Sequence, residues 1–346
     1  MVARGKRRRR KNSVADELTH TLNTDLKPLH ALLLDGQGGG RDMDAAEINA
    51  WQPDQGLAWL HLDYTDPEQS DWLRNHSGLS ELVCEALLTE NTRPRATLTG
   101  DGLLIALRGV NLNPGADPED MVSIRLYVTP DRIISTRKRR LLSVTSLAED
   151  CRNGEGPANV ADFLVQLSGN LVERMGEVVE EIEEELSSLE LQLLDDGHSA
   201  AIRQSLSNLR RQTITLRRYF GPQRDAFSQL QNDRASWLSN DHRLELREIS
   251  DRLLRHIEDL DMIRERAAMA QDELVSQQSD QLNQRMYLLS LIAAVFLPLG
   301  FLTGLLGINV GGIPGSENPY AFGIFMLILT LLVALQVWYF RRQRWF

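Results

Sequence analysis

Cysteine is nearly missing from this 346-residue chain: Cys84 and Cys151 are the whole complement. Two thiols so far apart build neither a disulfide framework nor a thiolate metal cage, and they suit a reducing compartment. Histidine is sparse as well. His20, His30, His61, His76, His198, His242 and His256 are scattered, with no two spaced three or four apart, so no paired helical metal site is written in them. His256, inside a long helical stretch, is kept as one candidate metal ligand beside a plainer packing role, because a lone histidine makes no site without partners. Phosphate loops, GxSxG and HExxH patterns do not occur, and no catalytic constellation emerges, so an enzyme is not expected. The formal net charge of -10 argues against general nucleic-acid binding. No apolar run follows the basic N-terminus, so no signal peptide is read there.

The most telling shortage is local. No Asp, Glu, Lys, Arg or His stands between Met286 and Ser316, and after Glu317 the next charge is Arg341. A mean hydropathy of -0.28 for the whole chain conceals this. A bilayer core is crossed by roughly 20 apolar residues in a helix. Residues 286–306 and 321–340 both reach that length, and membrane spans are expected there. The connector 307–320 has no Lys or Arg, whereas Arg285 precedes the first span and Arg341, Arg342 and Arg344 follow the second. Positive charge on both flanks predicts a cytoplasmic location for both and an external connector. Trp338, Tyr339 and Trp345 suit an interfacial aromatic anchor at the inner face. The tail of residues 1–27 carries RGKRRRRK at 4–11; it reads as a solvated arm, with attraction to anionic lipid as the sharper alternative.

Between tail and spans the pattern changes twice. In 28–158, the segments 29–35, 57–64, 103–112 and 122–138 are rich in apolar and β-branched residues and predict strands, with a hairpin turn at Pro130-Asp131. Asp66-Pro67 and Ser80 predict helix starts. This is a small α/β domain. In 159–240 the period becomes helical: Leu167, Leu171, Met175, Val178, Ile182, Leu186, Leu189 and Leu193 recur at three or four. A return helix is expected from Ser199 to Phe220, interrupted at Gly221-Pro222. From Ser239-Asn240-Asp241 a new helix starts, and no Gly or Pro breaks it before Pro298. One helix over 241–306 would measure roughly 100 Å and needs partners for the face of Leu246, Ile249, Leu253, Ile257, Leu260, Ile263, Ala267, Ala270 and Leu274. The acidic run EVVEEIEEELSSLE at 177–190 reads as a solvated helix face or as a surface that concentrates divalent cations.

One pair of spanning helices encloses no aqueous path, so conduction would need a ring of copies. Counting from Asn283 by three or four, the lining of the first span would hold Met286, Leu289 or Ser290, Ala293, Leu297, Gly300, Gly304 and Ile308. That face is small or apolar and uncharged, suited to water and to gating by dewetting near Met286–Leu289. At its end stand Gly307, Ile308 and Asn309. Free helix-end carbonyls and the Asn309 amide oxygen would present partial negative charge to a hydrated cation. A simple C-cap explains Asn309 equally well. Glu317 is the only acid in the connector, and is either an exposed loop residue or, repeated in a ring, an attractor of cations at the outer mouth.

Two spans at the C-terminus, with Gly-x-Asn closing the first, resemble the CorA superfamily of divalent-cation transporters. The context GLLGINVGGIPG and the segment TENTRPR at 89–95 carry the resemblance, which covers about 28–346. Gly-Ile-Asn in place of Gly-Met-Asn resembles the zinc branch. The resemblance implies an α+β multi-pass membrane protein with a cytosolic α/β domain, a long helical stalk forming a funnel, and a homopentamer in the bacterial inner membrane with both termini cytoplasmic. It implies Gly307, Ile308 and Asn309 as an external filter over the span's end, with Asn309 meeting the metal. Asn283, Met286, Leu289, Leu297, Gly300 and Gly304 would face the axis. It implies transported zinc, with magnesium, cobalt, nickel and cadmium as the wider divalent set, import as the direction and coupling to protons, and no resident cofactor. The alternatives are a magnesium or broad divalent channel on the same scaffold, and a membrane-anchored coiled-helix scaffold or sensor. The anchor predicts tolerance of change at Asn309.

Overall fold

The computed structural model describes residues 26–90, 92–195, 200–232, 235–307 and 318–342. The chain folds as two compact units, one up to Gln271 and one from Asp272.

The first unit is built on a seven-stranded mixed sheet. Its strands are β1 (His30–Leu34), β2 (Gly40–Asp42), β3 (Leu57–Asp63), β4 (Arg95–Thr99), β5 (Gly102–Gly109), β6 (Val122–Val128) and β7 (Arg132–Arg137). They lie in the order β2-β1-β3-β7-β6-β5-β4, and only β3 and β7 run parallel. The central strands are apolar on both faces because both faces are covered. On one face Ala58, Leu60 and Leu62 of β3 join Ile48, Trp72, Leu73, Val83 and Leu87 in a core. These come from α1 (Ala45–Ala50), α2 (Pro67–Asn75) and α3 (Glu81–Leu88). The alternate residues of β3, Trp59 and His61, point the other way, as the two-residue period of a strand requires. Trp59 there meets Phe163 edge-on, with 4.7 Å between ring centroids.

The predicted starts and turn are in place. Asp66 caps α2 by accepting from the Glu68 amide at 2.9 Å, with Pro67 first in the helix. Ser80 stands at the N-cap of α3. Thr129 N–H donates to the Arg132 carbonyl at 2.9 Å across Pro130-Asp131, closing the β6–β7 hairpin. The short edge strands β2 and β4, and the helices α1 and α4 (Leu142–Asn153), had no sequence expectation. Gly154 ends α4 in the left-handed conformation, φ 83°.

Three long helices complete the layer: α5 (Val160–Asp195), α6 (Ala200–Asn232) and the first part of α7 (Asn240–Leu306). Every predicted apolar position of α5 from Leu167 to Leu193, and of α7 from Leu246 to Leu274, is buried. The expected interruption at Gly221-Pro222 is a correction: α6 continues through both residues. Proline removes one hydrogen bond from a helix interior. Packing outweighs that loss here, since Phe220, Gln223, Ala226, Phe227 and Leu230 are all buried in one stripe. Gln223 also docks on the sheet. Its Oε1 accepts from the Arg108 amide at 2.7 Å and its Nε2 donates to the Arg108 carbonyl at 2.9 Å.

The second unit holds the rest of α7 and α8 (Ala321–Arg342), both long and apolar enough to span a membrane. Helix α7 passes Pro298 without ending.

Candidate functional site

Two helices of the second unit pack along one stripe each. On α7 the covered positions are Leu291, Ala294, Val295, Pro298, Leu299 and Leu302; on α8 they include Phe325, Leu329, Leu332, Gln336 and Phe340. The positions expected to line a path, Asn283, Met286, Leu289, Leu297, Gly300 and Gly304, are all exposed in the single chain. At 3.6 residues per turn Met286, Leu289, Leu297, Gly300 and Gly304 fall on the side of α7 away from its contact with α8, while Asn283 lies on a flank, nearly in line with Ala294. Leu297 is 74% exposed and Met286 64%. An apolar stripe this bare is what a helix shows when its partner is another chain, lipid or a water-filled path.

The two threonine hydroxyls of the spans are used up locally. Thr303 Oγ1 donates to the Leu299 carbonyl at 2.9 Å and Thr330 Oγ1 to that of Met326 at 2.8 Å. Gly307 N–H donates to the Thr303 carbonyl at 2.9 Å, so Gly307 closes the helix. A Cβ on Gly307 would stand 2.7 Å from that carbonyl oxygen, so glycine is required there by space. Ile308, Asn309 and Glu317 lie outside the described residues, as do residues 1–25 of the N-terminal tail, His198 and Trp345; the tail expected to reach residue 27 ends earlier, because Leu26 is buried in the core of the first unit. Arg342 sits 5.4 Å from the ring centroid of Trp338, a cation–π pair at the end of α8.

In the first unit no group of three or more His, Cys, Asp or Glu side chains converges to hold a metal among the described residues. His256 is packed against α5. A Cβ at Gly176 would be 2.8 Å from its Cε1 and 2.9 Å from its Nε2. Burial lowers its pKa, with Asp259, 3.9 Å away, opposing. The acidic run of α5 divides its work. Arg266 of α7 takes Glu183 at 3.1 Å and Glu190 at 2.7 Å, tying the helices together. Glu180 and Glu184 line an open depression of about 570 Å³ with Ser187, Ser188 and Leu191. Sequence reasoning passed over Gln336, whose Nε2 donates to the Ala294 carbonyl at 3.3 Å. The signal was present: Gln336 is the sole side-chain amide in the second span.

A family model described as CorA-like Mg2+ transporter protein matches residues 54–342. The chain belongs to this family. The Zinc transport protein ZntB of Yersinia pseudotuberculosis is 41% identical over 317 residues, covering 92% of this chain and 95% of that protein. The Divalent cation transporter CmaX of Pseudomonas aeruginosa is 41% identical over 320 residues, covering 92% and 96%. Among solved structures, full-length CmaX superposes with a TM-score of 0.81 over 92% of this chain and 98% of that one. The complete CorA magnesium transporter of Methanocaldococcus jannaschii shares the fold, with a TM-score of 0.80 at 18% identity over 93% of this chain and 100% of that one. The expected architecture of an α/β domain, a long helix and two C-terminal apolar helices is the one these relatives share.

Proposed function

We propose that this chain carries zinc through a bacterial inner membrane as a homopentamer, inward and coupled to protons, with both termini cytoplasmic. The first spans surround the path with Asn283, Met286, Leu289, Leu297, Gly300 and Gly304. Gly307, Ile308 and Asn309 form the external filter, where backbone and amide oxygens meet a hydrated ion. Glu317, repeated around the ring, raises the local cation concentration at the mouth. His256 stays outside the path as a packing group. The observation that carries this reading is the 41% identity to a zinc transport protein along 92% of the chain. The uncharged stripe opposite the α7–α8 contact supports it, because conduction requires a lining that releases what it admits.

The test is reconstitution into vesicles enclosing a zinc-sensitive dye. Zinc added outside should enter, faster with an inward proton gradient, and Asn309→Ala should depress the flux while the assembly survives. No response to the gradient removes the coupling. Unchanged flux in Asn309→Ala removes Asn309 from the filter, and a parent that carries no zinc supports the anchor reading instead. A broad divalent carrier is the second reading, favoured by the equal 41% identity to CmaX; magnesium uptake matching that of zinc would establish it.

A further inference from the structure

Pro298 has no N–H to give, so the carbonyl four residues earlier, that of Ala294, loses its helical donor. In hydrocarbon such a carbonyl finds no water to replace it. The structure supplies a substitute from the other span. Gln336 Nε2 of α8 donates to the Ala294 oxygen at 3.3 Å. The orientation of this amide follows from chemistry: turned over, its oxygen would face another acceptor. Oε1 is buried, with no hydrogen-bond partner among the described residues, so the donation to Ala294 is the one polar contact the side chain makes there. No carboxylate, histidine or cation competes, since α7 has no Asp, Glu, His, Lys or Arg from Met286 to Leu306 and α8 none before Arg341; the titratable side chains on these stretches are the phenols of Tyr287 and Tyr339.

The place of this bond matters more than its strength. A proline in a helix interior is a point of bending. Gly300, Gly304 and Gly307 all lie beyond it. A helix missing one bond at residue 298 can swing its far part about that point. A bond from the neighbouring helix to the orphaned carbonyl limits the swing. We propose that Gln336 is a positioning residue for transport: by bonding the carbonyl that Pro298 leaves open, it fixes the segment from Leu299 to Gly307 so that copies of Gly307 meet at the right separation. This rests on the reading that the first span lines the path.

The experiment is a double-mutant cycle in the full-length protein, read as zinc flux in vesicles and as thermal midpoint in detergent. Gln336→Leu should lower maximal zinc flux by about five- to tenfold, with the zinc concentration for half-maximal flux unchanged. Pro298→Ala returns an N–H to the Ala294 carbonyl and makes the amide redundant. In that background Gln336→Leu should change flux by less than about twofold. An equal loss in both backgrounds, or a change confined to the half-maximal concentration, overturns the proposal. So does loss of assembly together with flux, which would make Gln336 a packing residue. Should Pro298→Ala itself be inactive, Gln336→Glu decides. Its protonated carboxyl donates to Ala294 and its carboxylate is repelled, so the ratio of variant to parent flux should fall as pH rises, and a flat ratio overturns the role. A parent that moves no zinc would refute the zinc reading instead, and the thermal cycle would still report the bond.

Discussion

Gly176→Ala tests whether the His256 ring is a wedge between α5 and α7. Two effects oppose each other. Alanine inside a helix is favoured over glycine by about 1 kcal/mol. The new methyl, however, would stand 2.8 Å from Cε1 and 2.9 Å from Nε2 of His256, closer than unbonded carbons approach. The ring has little room to yield, because its side chain is 16% exposed and Nε2 is enclosed. Overpacking of this kind costs about 1–3 kcal/mol, so the net should be a loss of roughly 1 kcal/mol and a fall of a few degrees in thermal midpoint. In a His256→Ala background the clash is gone and the helix preference remains, so the same change should stabilise by about 0.5–1 kcal/mol. The assay is tryptophan fluorescence on heating the detergent-purified protein, in the four combinations. Stabilisation of equal size in both backgrounds would refute the packing argument. His256→Ala should leave zinc flux and its concentration dependence intact; a lost response to zinc would return this histidine to the metal's route.

Acid should weaken the first unit. Burial lowers the pKa of His61 well below 6.5, and those of His30 and His256 below it. Their neutral forms are favoured in the folded chain, so this stability is fully present above pH 6.5 and is lost as pH falls from there through the folded values. The thermal midpoint should drop between about pH 7.5 and pH 5.5, and His61→Phe should flatten the slope; an unchanged slope would mean that His61 is already charged when folded. Gln223→Leu should cost about 2–4 kcal/mol, because it strands both the Arg108 N–H and its carbonyl in the core. A midpoint within a degree of the parent would show that α6 holds the sheet by apolar packing alone.

The long elements were legible because their periods are long. Leu246 to Leu274 repeats often enough to name the buried face of α7 residue by residue, and every one of those residues is buried. Edge strands such as Gly40–Asp42 carry no such record, since three residues cannot show a period and their side chains are exposed or half-buried. The error at Pro222 had a physical source. A glycine-proline pair is a local signal, whereas Gln223, which holds the helix in place, bonds to a residue 115 positions away. Gln336 was missed for the same reason: its partner Ala294 is 42 positions away and is special only because of Pro298. Pairings of a side chain with distant backbone leave no trace in local composition, so the candidate path was readable as a stripe and its support was not.

The bareness of that stripe constrains how a metal could use it. A naked divalent ion in a low-dielectric passage would cost tens of kcal/mol unless ligands replaced its water. Zinc stripped of water seeks imidazole or thiolate, and the spans offer neither. The ion is therefore best carried with its inner water, and the lining has only to keep that water in place. Such a lining separates ions by hydrated size and by how readily water is shed, a property in which magnesium, slow to dehydrate, differs from zinc. Protons fall under the same constraint. Without a carboxylate or histidine between Met286 and Ser316, no side-chain relay can shuttle them through the first span. A proton gradient could then act through the water that accompanies the metal, or through groups beyond the span such as Glu317, and these two routes differ in that only the second is abolished by Glu317→Gln.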